Sequence, residues 1–230
     1  MYRAWQYWTY YECGEPYYNI EALCDIDPPN GYAYGMYQFD YRNGLVPLLE
    51  LCYEHNPVYY KAFKQFIDFG KKSKKLINNK LLQSYFRIYA TENKNDFLYC
   101  QDSAYVKSYL DGAMANARKK NVPNLDNPYI IGTIGSMAIR DGASGTLTLR
   151  ALTSMATSND VKTQLKLGYD VFNNFFSPKG DDRWSRQYSR CVYDFDRKQN
   201  VYDIALIPTN NKNIILNIQE NGIITARVEE

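Results

Sequence analysis

The chain has 230 residues, 45% of them hydrophobic and 16% aromatic, with 27 Lys and Arg against 25 Asp and Glu. That length holds one sizeable domain, or one domain with an appendage. The near-balance of charge excludes a global basic field for nucleic acid or anionic lipid, and no run approaches the ~18 apolar residues of a membrane span.

Residues 1–12 read as a short aromatic helix. Tyr2, Trp5, Trp8 and Thr9 or Glu12 keep three-to-four spacing, and Gly14 and Pro16 end it. From Tyr17 to Gln38 turn residues are too frequent for a long helix, and Pro28-Pro29-Asn30-Gly31 signals a turn. Tyr32 to Phe39 reads as a short strand or buried loop. Gly44 to His55 is helical in pattern, with Pro47 tolerated in the first turn. Pro57 to Lys71 carries an amphipathic stripe of Tyr59, Phe63, Phe66 and Phe69. The basic run Lys71 to Lys75 reads as a solvated link. Further helices are expected over 75–89, 96–120 (the longest pattern), 129–139, 145–156, 160–176 and 181–196. Ser158-Asn159-Asp160 supplies N-cap chemistry for the helix over 160–176. After residue 200 the pattern alternates, and Asn221-Gly222 between β-branched runs is a hairpin signal. The expected fold is mainly α (α+β). A helical body over 1–196 is followed by a small β-hairpin appendage, 197–230, packed on it.

The five cysteines (Cys13, Cys24, Cys52, Cys100 and Cys191) form no CxxC or Cys/His cluster. Neither a disulfide framework nor a metal site is expected, and no cofactor is implied. His55 is the only histidine, and its place before Asn56-Pro57 reads as a helix-end surface residue. Residues 1–11 lack the pattern of a secretory signal. The 23 tyrosines offer flat apolar faces with polar tips, which suit sugar-binding clefts. The alternative reading of their number is a codon bias toward Tyr, Asn and Lys in an AT-rich genome.

The acids concentrate at Glu12, Glu15, Glu21, Asp25 and Asp27. Glycosidic cleavage needs one carboxylic acid still protonated near neutral pH, with a second carboxylate to position water or stabilise the developing cation. Trp8, Tyr10, Tyr11 and Cys13 flank Glu12 in sequence. An apolar surround of that kind raises a carboxyl pKa.

Glu12-Cys13-Gly14 followed by Tyr34-Gly35-Met36-Tyr37-Gln38-Phe39 resembles the lysozyme-like superfamily, where a catalytic Glu precedes Ser-Gly and a Gly-x-x-Gln segment lines the cleft. Asp25 to Phe39 resembles a phage lysozyme-like group. It is also similar to the corresponding stretch of bacterial chitosanases, which places a catalytic Asp near Asp27. Phe97 to Gln101 resembles the family's Phe-x-x-x-Gln helix, Ser136 to Gly142 its Ser-x-Ala-x-Gln-His-Gly segment, and Arg183 to Arg190 its closing helix. The resemblance implies Glu12 as general acid and Asp27 as second carboxylate, with Asp25 as substitute. Tyr34, Tyr37 and Gln38 would line the cleft. Cys13 stands where Ser is usual, and Arg140-Asp141 where Gln-His is usual.

The first function this implies is a phage-type peptidoglycan glycosidase, an endolysin or virion-associated lysin. Such a protein would be made in the host cytoplasm and act at the cell wall, with a holin or tail components as partners. The alternatives are a non-catalytic wall-binding tail module and a chitosanase-like hydrolase.

Overall fold

The computed structural model describes residues 31–196 and, as strand backbone alone, 23–27, 207–209, 212–218 and 224–228. The expected N-terminal aromatic helix, with Glu12, lies outside the described residues. Backbone proximity divides the chain into two units, one ending at Ser108 and the other running on from Tyr109.

The first unit opens with an antiparallel hairpin, β1 (Leu23–Asp27) and β2 (Gly31–Tyr34). Leu23 pairs with Tyr34 and Asp27 with Gly31, and the register shifts between Asp25 and Asp27. Asp25 and Asp27, expected in a turn-rich loop, therefore lie on a strand. Pairing with β2 outweighs its polar composition. α1 (Leu45–His55) has Pro47 in its first turn, where no intrahelical donor is needed.

The amphipathic stripe over 57–71 does not form one helix. It is a turn, a 3₁₀ segment Lys61–Phe63 and a single α-turn, α2 (Lys64–Ile67). The Asn56 side chain accepts from Tyr59 N at 3.0 Å and restarts the chain there. Phe63 and Phe66 are buried, while Phe69 is 37% exposed. α3 (Lys80–Glu92) begins later than the pattern implies, because Asn79 accepts from Leu82 N at 3.0 Å and caps it. α4 (Lys94–Tyr105) runs through a π-helical turn, Val106–Leu110, into α5 (Asp111–Lys119). The core of this unit is aromatic. Ring centroids are 4.8 Å apart for Phe86–Phe97, 4.9 Å for Phe63–Tyr89 and 5.2 Å for Tyr34–Phe86. Each such pair contributes ~0.5–1.5 kcal/mol beyond its buried area.

The second unit holds α5 together with α6 (Pro128–Asp141), α7 (Thr146–Met155), α8 (Val161–Phe176) and α9 (Arg183–Asp196). Asn127 caps α6 ahead of Pro128, and Asp160 caps α8 by accepting from Thr163 N at 2.8 Å. Trp184 of α9 is buried against Phe172 of α8, ring centroids 4.4 Å apart. Ser136 of α6 donates to Gln187 Oε1 of α9 at 3.0 Å. β3 (Ile207–Thr209), β4 (Lys212–Ile218) and β5 (Ile224–Val228) form an antiparallel sheet in that order. Ile218 pairs with Ile224, on either side of Asn221-Gly222, so the expected hairpin is present. β3 adds a strand to it, with Ile207 opposite Ile214. The side chains of this sheet lie outside the described residues. The architecture is mainly α with a small β appendage.

Candidate functional site

The hairpin continues into the Gly35–Gln38 turn. Tyr34 and Phe39 exchange backbone hydrogen bonds of 2.9 Å, closing it. Gly35 has φ +70°, and a Cβ there would sit 2.2 Å from Gln101 Oε1, so only glycine fits. Gln101 Oε1 accepts from Met36 N at 3.1 Å. The Tyr37 hydroxyl donates to Asp102 Oδ1 at 2.5 Å, and its ring stacks on Tyr105 at 4.3 Å between centroids. Three residues of α4 thus clamp the turn. Gln38 has φ +53°, is half-buried, and its Nε2 donates to Gly35 O at 3.3 Å. After the turn, Asp40 accepts from Arg42 N at 2.8 Å and Asn43 N at 3.0 Å and leads the chain into α1.

The other end of the hairpin is pinned too. Gly31 has φ +74°, and a Cβ there would meet Asn78 Oδ1 at 2.8 Å and Ile77 Cγ2 at 2.9 Å. Asp27 pairs with Gly31, and Asp25 with Tyr32. The register shift between the two strand acids breaks their strict alternation. The side chains of Asp25 and Asp27, like all of Glu12, lie outside the described residues.

Tyr34 and Tyr37 differ from expectation. They are 1% and 0% exposed, so their rings belong to the core instead of lining a cleft. Burial pushes the Tyr34 hydroxyl up to about 12, outweighing the nearby Gln83 side chain. Their physical task is to hold the hairpin on α3 and α4.

The more distant segments of the resemblance have structural tasks. Phe97 sits in the aromatic core, and Gln101 is the turn's anchor. Asp141 Oδ2 accepts from Leu147 N at 2.8 Å and Thr148 N at 3.0 Å, capping α7. The Arg140 guanidinium lies 4.8 Å from the Phe176 ring centre. Asp102 and Tyr105 are the anchors that sequence reasoning missed. The available signal was Gln101-Asp102, two polar residues side by side within an apolar helical pattern.

His55 ends α1 as expected but has a defined partner. Its Nε2 bonds Asp96 Oδ1, and Asp96 Oδ2 accepts from the Tyr60 hydroxyl at 2.8 Å. Cys52 and Cys100 are buried free thiols, and Cys191 is buried as well. Among the described residues no three of His, Cys, Asp and Glu converge as metal ligands, and no helix is long and apolar enough to cross a membrane.

No protein-family model matches the sequence, and a search of curated proteins finds no match. Solved structures do match. The native chitosanase of Bacillus subtilis MY002 superposes with a TM-score of 0.58 at 17% identity, over 99% of this chain and 97% of that one. The chain shares the chitosanase fold. A Glu-to-Ala variant of the same Bacillus enzyme, complexed with 6 GlcN, gives 0.57 at 17% identity over 98% and 96%. The GH46 chitosanase of Gynuella sunshinyii, in complex with chitotetraose, gives 0.58 at 16% identity over 94% and 96%. The architecture is mainly α, as expected, and similarity at this level of identity speaks to fold alone.

Proposed function

We propose that this chain is a glycoside hydrolase acting on an amino-sugar polymer of the chitosan type, with Glu12 as general acid and Asp27 as second carboxylate. The observation that carries the reading is the fold likeness, which spans 99% of this chain and 97% of a chitosanase. The resemblance of Asp25 to Phe39 to the chitosanase active-site stretch supports it further. Chitosan is a polycation, and Glu15, Glu21, Asp25 and Asp27 are acids suited to meet it. These points favour chitosan over the phage and peptidoglycan reading.

Two carboxylates suffice for the chemistry. Glu12 donates its proton to the leaving oxygen while Asp27 steadies the developing oxocarbenium ion or directs the water. Asp25 and the half-buried Gln38 contact the sugar, and Tyr34 and Tyr37 hold their scaffold from behind.

The test is product analysis after incubation with chitosan and, separately, with peptidoglycan. Wild type should release glucosamine oligomers from chitosan, and Glu12→Gln should lose ~10²–10⁴-fold of that rate. Release of muropeptides with chitosan left intact would return the reading to a wall lysin. Binding without cleavage of either would make the chain a non-catalytic module.

A further inference from the structure

Helix α4 presents a second face. It turns ~100° per residue, so Tyr99 and Ser103 point ~160–200° away from Gln101, the anchor of the turn. On that face a pocket of about 270 Å³ lies between α1 and α4, lined by Leu51, Glu54, His55, Tyr99, Cys100 and Ser103. It falls just below the ~300–1,000 Å³ of pockets that take drug-sized ligands, a size suited to one sugar unit.

Tyr99 is 51% exposed, so a large aromatic ring faces solvent at the pocket. The His55 ring lies 5.1 Å from it and is fixed through Asp96, which Tyr60 holds in turn. Leu51 and Cys100 contribute apolar surface. Glu54 is exposed and makes no ion pair among the described residues. It lies at the C-terminal end of α1, where the helix dipole also favours positive charge.

We propose that this pocket is an accessory subsite for one glucosamine-type residue of the polymer. The apolar face of the sugar stacks on Tyr99, its ammonium pairs with Glu54, and a ring hydroxyl bonds Ser103. The proposal rests on the amino-sugar reading above. A second attachment point would raise the local concentration of a long chain at the hairpin without adding any contact there.

The test is titration of ¹⁵N-labelled Glu12→Gln protein, which does not consume the ligand, with tri-glucosamine and with its N-acetylated counterpart, followed by amide NMR. Tri-glucosamine should shift two clusters, one at 33–39 and one at 51–55 with 99–103. Glu54→Gln should weaken the second cluster about fivefold, and Tyr99→Ala about tenfold, leaving the first in place. Shifts at 33–39 alone overturn the accessory site and leave the proposed function standing. Shifts at the pocket alone overturn the function and leave the site. Equal response to the N-acetylated sugar overturns recognition through the amine, and no response in either cluster overturns both.

Discussion

The Gly35–Gln38 turn and the corner between α6 and α7 are both sharp reversals fixed by side chains, but the fixing groups come from different distances. At the corner, Asp141 bonds the amides of Leu147 and Thr148, six and seven residues on. At the turn, the groups that hold Met36 and Tyr37 are Gln101 and Asp102, 65 residues away. The corner is a local capping device that a helix pair carries with it. The turn exists only because α4 is packed where it is. A hairpin built in this way is as rigid as the core behind it, and it loosens when that core is disturbed.

The largest effect is expected from Gly35→Ala. A left-handed backbone costs a non-glycine residue ~1–2 kcal/mol, and the new methyl displaces Gln101 from Met36, so ~2–4 kcal/mol should be lost in urea unfolding. Adding Gln101→Ala removes the clash, so the pair should cost less than the sum of the singles. An additive result would mean that the turn does not lean on Gln101.

Next is Tyr37→Phe, which removes the hydrogen bond to Asp102 while keeping the stack on Tyr105. Depriving a buried polar group of its hydrogen bond costs ~1–3 kcal/mol. Hydrogen-exchange protection should fall at 33–39, and the proposed cleavage of chitosan should slow with it.

Asp141→Ala should cost ~0.5–2 kcal/mol, the usual range for a lost cap. Exchange should quicken at 146–149 and not at 33–39. Loosening at both places would erase the distinction between a local and a distant anchor.

The smallest effect at neutral pH comes from the buried and half-buried phenols. Burial raises the hydroxyl pKa of Tyr34 from 10.0 to about 12, and it also raises Tyr60, Tyr59 and Tyr89. The folded chain holds these protons more tightly than the unfolded one. Stability should therefore be unaffected below pH 10 and fall as pH rises from 10 toward 12. Tyrosinate absorbance should show part of the 23 tyrosines ionising only as the chain unfolds. Full ionisation before unfolding would contradict the buried placement.

Legibility in the sequence followed the same division. Helical periodicity, the Asp160 cap and the Asn221-Gly222 hairpin signal act within a few residues, and the elements they imply are present. The stripe from Tyr59 to Phe69 has helical spacing, yet Asn56 and aromatic packing break it into short turns. Leu23–Asp27, in a stretch read as turn-rich, is strand β1 because β2 supplies backbone partners. In the candidate site the motif residues were recognisable, but the spacing of Tyr34 and Tyr37 says nothing about which way their rings face.

By itself, then, the sequence determined the helical class, the β character of the C-terminal residues, and the acids and turn from which a glycan-cleaving site could be built. Tertiary structure alone decided that Tyr34 and Tyr37 are interior props, that Gln101 and Asp102 anchor the turn, and that α4 has a second, open face beside His55. Caps and periodicities are written within one or two helical turns. A side chain's partner 65 residues away is chosen by packing, which no local pattern encodes.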